Sequence, residues 1–263
     1  YVAYIVIMLC FGLLYSRFKR RIEHDDEIIE LQMINEYLMN SDDSDGDEDG
    51  DEKRPIIWIH SPTERNSRKW SSFGSRSNVR MNQPYTDLAI QTIVTHCGGS
   101  FKVCLIDDNS FTKLLPDWEV SIGRSPEPIK SRLRNIGFAK LLHKYGGMFV
   151  PITFVCTGDL LNVYQEMTTD VDMFVSESPS HTMHGVGMTH EVDTNFFGGK
   201  RGASILEEYV TYLSYMISTD VTANADFLGT VNRWLMEQIG NGVIGMIPGQ
   251  TIGTRDANGS EVL

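Results

Sequence analysis

Cysteine is scarce in this chain. Four thiols, Cys10, Cys97, Cys104 and Cys156, are spread through 263 residues. They are too few and too far apart for a disulfide-built scaffold, and no CxxC or His/Cys spacing points to a structural zinc site. Cys10 lies in an apolar run, and the other three sit in apolar stretches where a free buried thiol is the ordinary state; a reducing compartment fits. Positive charge is also short. Lys and Arg number 23 against 35 acids, a formal net charge of −12. A nucleic-acid binder normally shows a basic face, so no nucleic-acid partner is expected. Several reaction signatures are missing. Glu191 is followed by Val192-Asp193-Thr194, so HExxH is absent, and Gly249–Gly253 lacks the Lys-Ser/Thr of a phosphate loop. No Ser-His-Asp order, Cys–His pair or internal repeat stands out. The remaining balance is ordinary, with 41% apolar, 10% aromatic and 22% charged residues. That excludes collagen and a fully disordered chain, and suits one domain of about 200 residues plus an appendage.

The charge is uneven. Ser41–Lys53 holds eight acids and one Lys, and the rest carries 27 acids against 22 bases. Residues 41–54 read as an acidic disordered spacer, because like charges repel and nothing apolar is there to bury. Its D-x-D-G-D fragments lack the twelfth-position Glu of a calcium loop.

Upstream, Tyr1–Tyr15 carries no charge. As a helix it would span about 22 Å at 1.5 Å per residue, against a bilayer core of about 30 Å. The expectation for residues 1–15 is a truncated transmembrane helix; a signal-peptide core or a buried helix are the rivals. Arg17, Lys19, Arg20 and Arg21 follow, which places this flank on the cytosolic side. The expected localisation is therefore a single-pass membrane protein with its folded domain in the cytosol and the bilayer as a partner. Residues 16–40 read as a basic flank and a stalk helix, with Ile28, Leu31, Asn35 and Leu38 near one seam. The chain starts without Met inside an apolar run and ends at Ser260-Glu261-Val262-Leu263. A piece of a longer protein, truncated at both ends, is expected.

From Pro55 the pattern changes. Ile56–Ile59, Phe101–Ile106, Met148–Val155, Val171–Ser176, Asn195–Gly198 and Val243–Ile247 read as strands. Tyr85–Cys97, Ile129–Tyr145, Asp159–Met167, Ala203–Ser218 and Asp226–Ile239 read as helices, with Gly146-Gly147 as a stop. Strands alternating with helices imply an α/β domain over residues 55–263 with a mostly parallel sheet flanked by helices.

Three stretches in this order carry a resemblance: Pro55–His60, Lys102–Pro116 (KVCLIDDNSFTKLLP) and Lys130–Asp159 (KSRLRNIGFAKLLHKYGGMFVPITFVCTGD). Together they resemble the DXD-type glycosyltransferases, including capsular polysaccharide synthesis proteins. Asn195–Gly202 (NFFGGKRG) is similar to a later strand and turn of that family. The resemblance implies a GT-A-like (Rossmann-like) fold. It also implies a nucleotide-sugar donor at the carboxyl ends of the strands and a divalent cation held by carboxylates straight after the YGG strand. This chain departs there. The two acidic positions fall on Pro151 and Thr153, the helix Asp falls on Asn135, and the Arg three residues on falls on Phe138. Pro offers no ligand atom and Thr only a neutral hydroxyl. No cofactor is expected, and Mn²⁺ or Mg²⁺ only if Asp107, Asp108 or Asp193 replaces the lost ligands.

The nucleotide-sugar candidates are thus His60, Arg65, Arg68, Arg76, Asn135 and Thr153. Arg65, Arg68, Lys69, Arg76 and Arg80 interleave with Trp70 and Phe73, which suits a diphosphate grip or a solvated loop. Asp107-Asp108 ends a strand and reads either as a relocated carboxylate site or as an Asx turn capping a helix near Ser110. His181, His184, His190, Glu191 and Asp193 crowd a Gly-rich segment that reads either as a loop or as a metal site. Two functions follow: a membrane-anchored glycosyltransferase-like protein using a nucleotide sugar without metal, or a non-catalytic GT-A-like binding or structural protein, for example of a large DNA virus.

Overall fold

Four consecutive bulky apolar residues open the folded domain, and all four are buried. In the computed structural model, which describes residues 54–62, 84–178, 191–219, 224–260 and 262, Ile56–His60 forms strand β1. A strand apolar on both faces belongs in the middle of a sheet. β1 is flanked on both sides, by β2 (Lys102–Ile106) and β3 (Gly147–Phe149), both parallel to it. The sheet has six strands in the order β2-β1-β3-β5-β4-β6. β4 (Met173–Ser178) and β6 (Ile244–Ile247) pair in parallel, and β5 (Glu191–Gly199) runs antiparallel between β3 and β4. A mostly parallel sheet was expected; three of the pairings are parallel and the two that β5 makes are antiparallel, so the sheet is mixed. The strands expected at Ile56–Ile59, at Phe101–Ile106 and after Gly146 all join this one sheet.

Alternation sorts the side chains onto two faces. Ile57, Ile59, Met148, Phe174, Phe196 and Ile247 join one core with Ile93 and Cys97 of α1 (Pro84–Cys97). Tyr164 and Met167 of the helix Leu161–Asp170 pack against the same core. The opposite face carries a ladder of rings. Trp58 stacks on Phe149 at 6.2 Å, Phe149 on Phe197 at 5.7 Å, and Phe138 closes on Phe149 at 4.4 Å.

Phe138 belongs to the long helix Ile129–Tyr145, found over the residues expected of it; Ser110–Leu114 is α2 and this helix is α3. Ile136, Leu141 and Leu142 are buried as expected and Leu133 is half-buried. α3 stops at Gly146, φ 74°, and the next residue, Gly147, sits at φ 98°. A Cβ on Gly147 would lie 2.1 Å from the Ile56 carbonyl oxygen, so only glycine lets α3 turn directly into a strand beside β1. Trp58 Nε1–H then donates to the Gly146 carbonyl at 3.0 Å.

Two strands differ from expectation. β3 ends at Phe149 rather than Val155. Val150 still donates to the Trp58 carbonyl, but Pro151 has no N–H and instead opens a turn accepting from Phe154 at 2.9 Å. β5 is longer than the expected Asn195–Gly198 and contains an irregularity: Val175 pairs with Phe197, but Ser176 pairs with Asp193. The remaining helices are α4 (Leu161–Asp170), α5 (Ser204–Thr219), α6 (Asn224–Gly240) and the short α7 (Gly249–Ile252). The latter is held by buried Glu177, whose carboxylate accepts from Gly249 N–H at 2.8 Å and from Arg255.

Cys97, Cys104 and Cys156 are free thiols. Cys97 and Cys156 are buried with sulfurs 3.7 Å apart, and burial pushes the Cys97 thiol up to about 12. The anchor, stalk and spacer expectations at residues 1–53 lie outside the described residues. Among those described, no helix is long and apolar enough to cross a membrane.

Candidate functional site

The carboxyl ends of β1, β2 and β3 and the opening of β5 meet at one edge of the sheet. In open α/β sheets this edge is where ligands bind. A cavity of about 430 Å³ opens there, lined by His60, Phe138, Phe149, Pro151, Thr153 and Asp193, with Asn195 at its wall. The backbone explains how each arrives. His60 is the last residue of β1. Pro151 and Thr153 hang from the turn that Pro151 forces. Asp193 and Asn195 lie within the irregular stretch of β5, and such irregularities re-aim side chains out of a regular ladder.

His60 is the most constrained group. Its Nε2 lies 3.0 Å from Asp108 Oδ1, and its ring packs on Phe111 and against Phe138. Burial lowers the imidazole pKa below its ordinary value; the Asp108 charge opposes this and the Arg134 charge reinforces it. His60 is therefore neutral at pH 7. Its Nε2–H donates to Asp108, which leaves Nδ1 as the basic nitrogen.

Asp108 in turn is gripped by Arg134 of α3, Nε at 2.7 Å and Nη2 at 2.8 Å, with Lys130 Nζ 3.7 Å away. Burial alone would raise the Asp108 pKa. The paired hydrogen bonds and charge of Arg134, then His60, outweigh it and hold the carboxyl below the usual range. Arg134 is the residue that sequence reasoning missed. The resemblance leads one to expect an Arg at Phe138, and Arg134 stands one helical turn earlier on the same face. A cation four residues before Phe138 was the available signal.

Asp107 resolves in favour of the Asx turn. Its Oδ1 accepts from Asn109 N–H at 3.0 Å and Ser110 N–H at 2.9 Å, at the start of α2. Burial pulls its pKa up, but these donors win and lower it. Asp193 behaves the other way. Burial raises its pKa, and the 2.7 Å bond from Asn195 N–H offsets that only in part.

The structure thus brings His60, Thr153 and Asp193 together. Asn135 is on α3, but it is not among the cavity's lining residues. Arg65, Arg68, Lys69, Trp70, Phe73, Arg76 and Arg80 lie outside the described residues. So do His181, His184 and His190, and the side chain of Glu191.

Among the described residues the cavity's donors are short of carboxylates for a divalent cation. Asp107 is held in the Asx turn before α2 and Asp108 is engaged by Arg134 and His60. Pro151 and Thr153 supply no charge, which leaves Asp193 as the one carboxylate lining the cavity among the described residues. Among the described residues no group of three His, Cys, Asp or Glu side chains is placed to hold a metal. A hard cation needs several anionic oxygens to displace its water.

No family model matches the chain, and neither does any curated protein. Among solved structures it is similar to the glycosyltransferase GlyE of Streptococcus pneumoniae TIGR4. One crystal structure of that protein gives a TM-score of 0.41 at 8% identity. The apo form gives 0.39 at 9% identity. Both matches cover 75% of this chain, which spans 46% of the GlyE chain. At these scores the likeness says nothing of activity. The six-stranded sheet with helices on its faces stands on its own topology.

Proposed function

We propose that residues 55–263 form a GT-A-like glycosyltransferase domain that transfers a sugar from a nucleotide-sugar donor without a carboxylate-held cation. The observation that carries this reading is the open cavity beside Thr153 at the carboxyl edge, where neutral His60 and poised Asp193 share one wall-to-wall space. A degenerate scaffold kept only for structure has no need of that space or of a half-buried His–Asp–Arg chain beside it.

In this reading the acceptor hydroxyl gives its proton to Asp193. Its raised pKa brings that carboxylate nearer the working range of a general base. The acceptor oxygen bonds the sugar's anomeric carbon while the bond to the diphosphate breaks, and the nucleoside diphosphate leaves with the electron pair. His60 Nδ1 accepts a hydrogen bond from a sugar hydroxyl, its ring fixed by Asp108 and Arg134. Phe138 and Phe149 provide apolar wall. Diphosphate charge is assigned to Arg65, Arg68 and Arg76. Tyr1–Tyr15 is kept as a bilayer anchor, which retention through a carbonate wash would test.

The second reading, a non-catalytic binding or structural protein, is favoured by the neutral residues at positions 135, 138, 151 and 153. A panel of nucleotide sugars incubated with the protein in EDTA, with nucleoside diphosphate release as readout, separates the two. Release in EDTA that Asp193→Asn lowers by about a hundredfold supports the enzyme. No release from any donor supports the binding protein.

A further inference from the structure

A second concavity lies on the helical layer. α5 starts just past Gly199, which pairs with Gly147 and Met173 at the amino edge of the sheet. Between α5 and α6 runs an open groove of about 600 Å³, lined by Glu207, Glu208, Tyr212, Tyr215 and Trp234, with Ser204 at one end.

Its chemistry is one-sided. Trp234 lies flat against Tyr209 at 5.7 Å and Tyr212 at 5.0 Å, with interplanar angles of 16° and 15°. Tyr215 adds a ring that is 62% exposed. Both charged residues lining the groove are carboxylates, and among the described residues neither has an ion pair. The neighbouring Arg233 does not answer them; its guanidinium bonds Gly229 O and Thr230 Oγ1 of its own helix.

We infer that this groove docks a basic peptide segment of a partner protein, its Lys or Arg side chains set between Glu207, Glu208 and the exposed rings. Charge complementarity carries the assignment. Carboxylates accept but cannot donate, and electron-rich ring faces attract ammonium and guanidinium groups. A neutral sugar gains little from that pairing and would find the Trp234 face already partly occupied. A small organic cation would stay largely hydrated in a trough this open. A chain bearing several cations engages both carboxylates and the Tyr215 ring at once.

The full chain also carries the acidic run Ser41–Lys53, which attracts basic peptides by itself, so the readout must sit in the groove. The protein has four tryptophans. Labelling with 5-fluorotryptophan, with Trp234→Phe to assign the signal, provides that readout by ¹⁹F NMR. Titration with an Arg/Lys octapeptide should move the Trp234 resonance to saturation. Reaching the same shift in Glu207→Gln/Glu208→Gln, or in Tyr215→Ala, should take about tenfold more peptide. All three residues are exposed, so these variants keep the fold. The inference is overturned if the peptide leaves the Trp234 resonance in place, or if the double variant responds like the parent. It is also overturned if tetramethylammonium or a neutral oligosaccharide moves that resonance and the peptide does not.

Discussion

At the residue scale the site is two opposed titrations. His60 has its pKa lowered by burial, and Asp193 has its raised by burial. The unfolded chain takes up the His60 proton near 6.5, and the folded chain only at lower pH. Between those values the unfolded state binds more protons, so stability falls as pH drops below about 6.5. Replacing His60 by Gln should flatten that limb of a pH–denaturation series. Asp193 has the reverse sign. Its unfolded form ionises near 3.8 and its folded form later, so ionisation costs stability as pH rises past the folded value. Asp193→Asn should therefore unfold at equal or higher urea concentration than the parent at pH 7 while losing activity; clear destabilisation would count against a strained functional carboxylate. Arg134→Met strands Asp108 and should cost about 3 kcal/mol in urea titration. It should also raise the His60 pKa followed by NMR, because one opposing charge is gone. Asp107 was legible in the sequence as an Asx turn. Asp108 was not, because nothing in a strand-end Asp-Asp tells which carboxylate meets a helix 26 residues later.

The elements were the more readable part. α3 emerged over Ile129–Tyr145 because its apolar spacing and its Gly-Gly stop agree. β1 was plain from Ile-Ile-Trp-Ile. β3 was misjudged because the apolar run Met148–Val155 hides a proline, and Pro151 cannot donate to a ladder. β5 was under-read because Glu191, Asp193 and Thr194 are polar, and its antiparallel placement depends on pairing partners that periodicity does not contain. The α3–β3 junction is where sequence and packing constrain one another most tightly. Gly147→Ala should cost about 3 kcal/mol or more, since its Cβ meets the Ile56 carbonyl at 2.1 Å in a backbone region that alanine rarely adopts. Gly202→Ala, also at positive φ but with nothing within 4 Å, should cost less. Equal losses in the two variants would show that conformation, not the close approach, dominates.

At the scale of the whole molecule, an α/β sheet carries an open cavity at its carboxyl edge, and Pro151 and Thr153, where the resemblance leads one to expect acids, are neutral. Among the described residues Asp193 is the one carboxylate lining the cavity, and Asp108 nearby is engaged by Arg134, a cation of the chain itself. A protein arranged in this way should bind its donor without help from metal. Isothermal titration calorimetry of the intact chain against a panel of nucleotide sugars, once in EDTA and once in Mn²⁺, tests this most directly. We expect one donor to bind with the same affinity in both buffers and to lose affinity when Arg65, Arg68 or Arg76 is neutralised. Binding that appears only with Mn²⁺, or no binding in either buffer, would contradict the account.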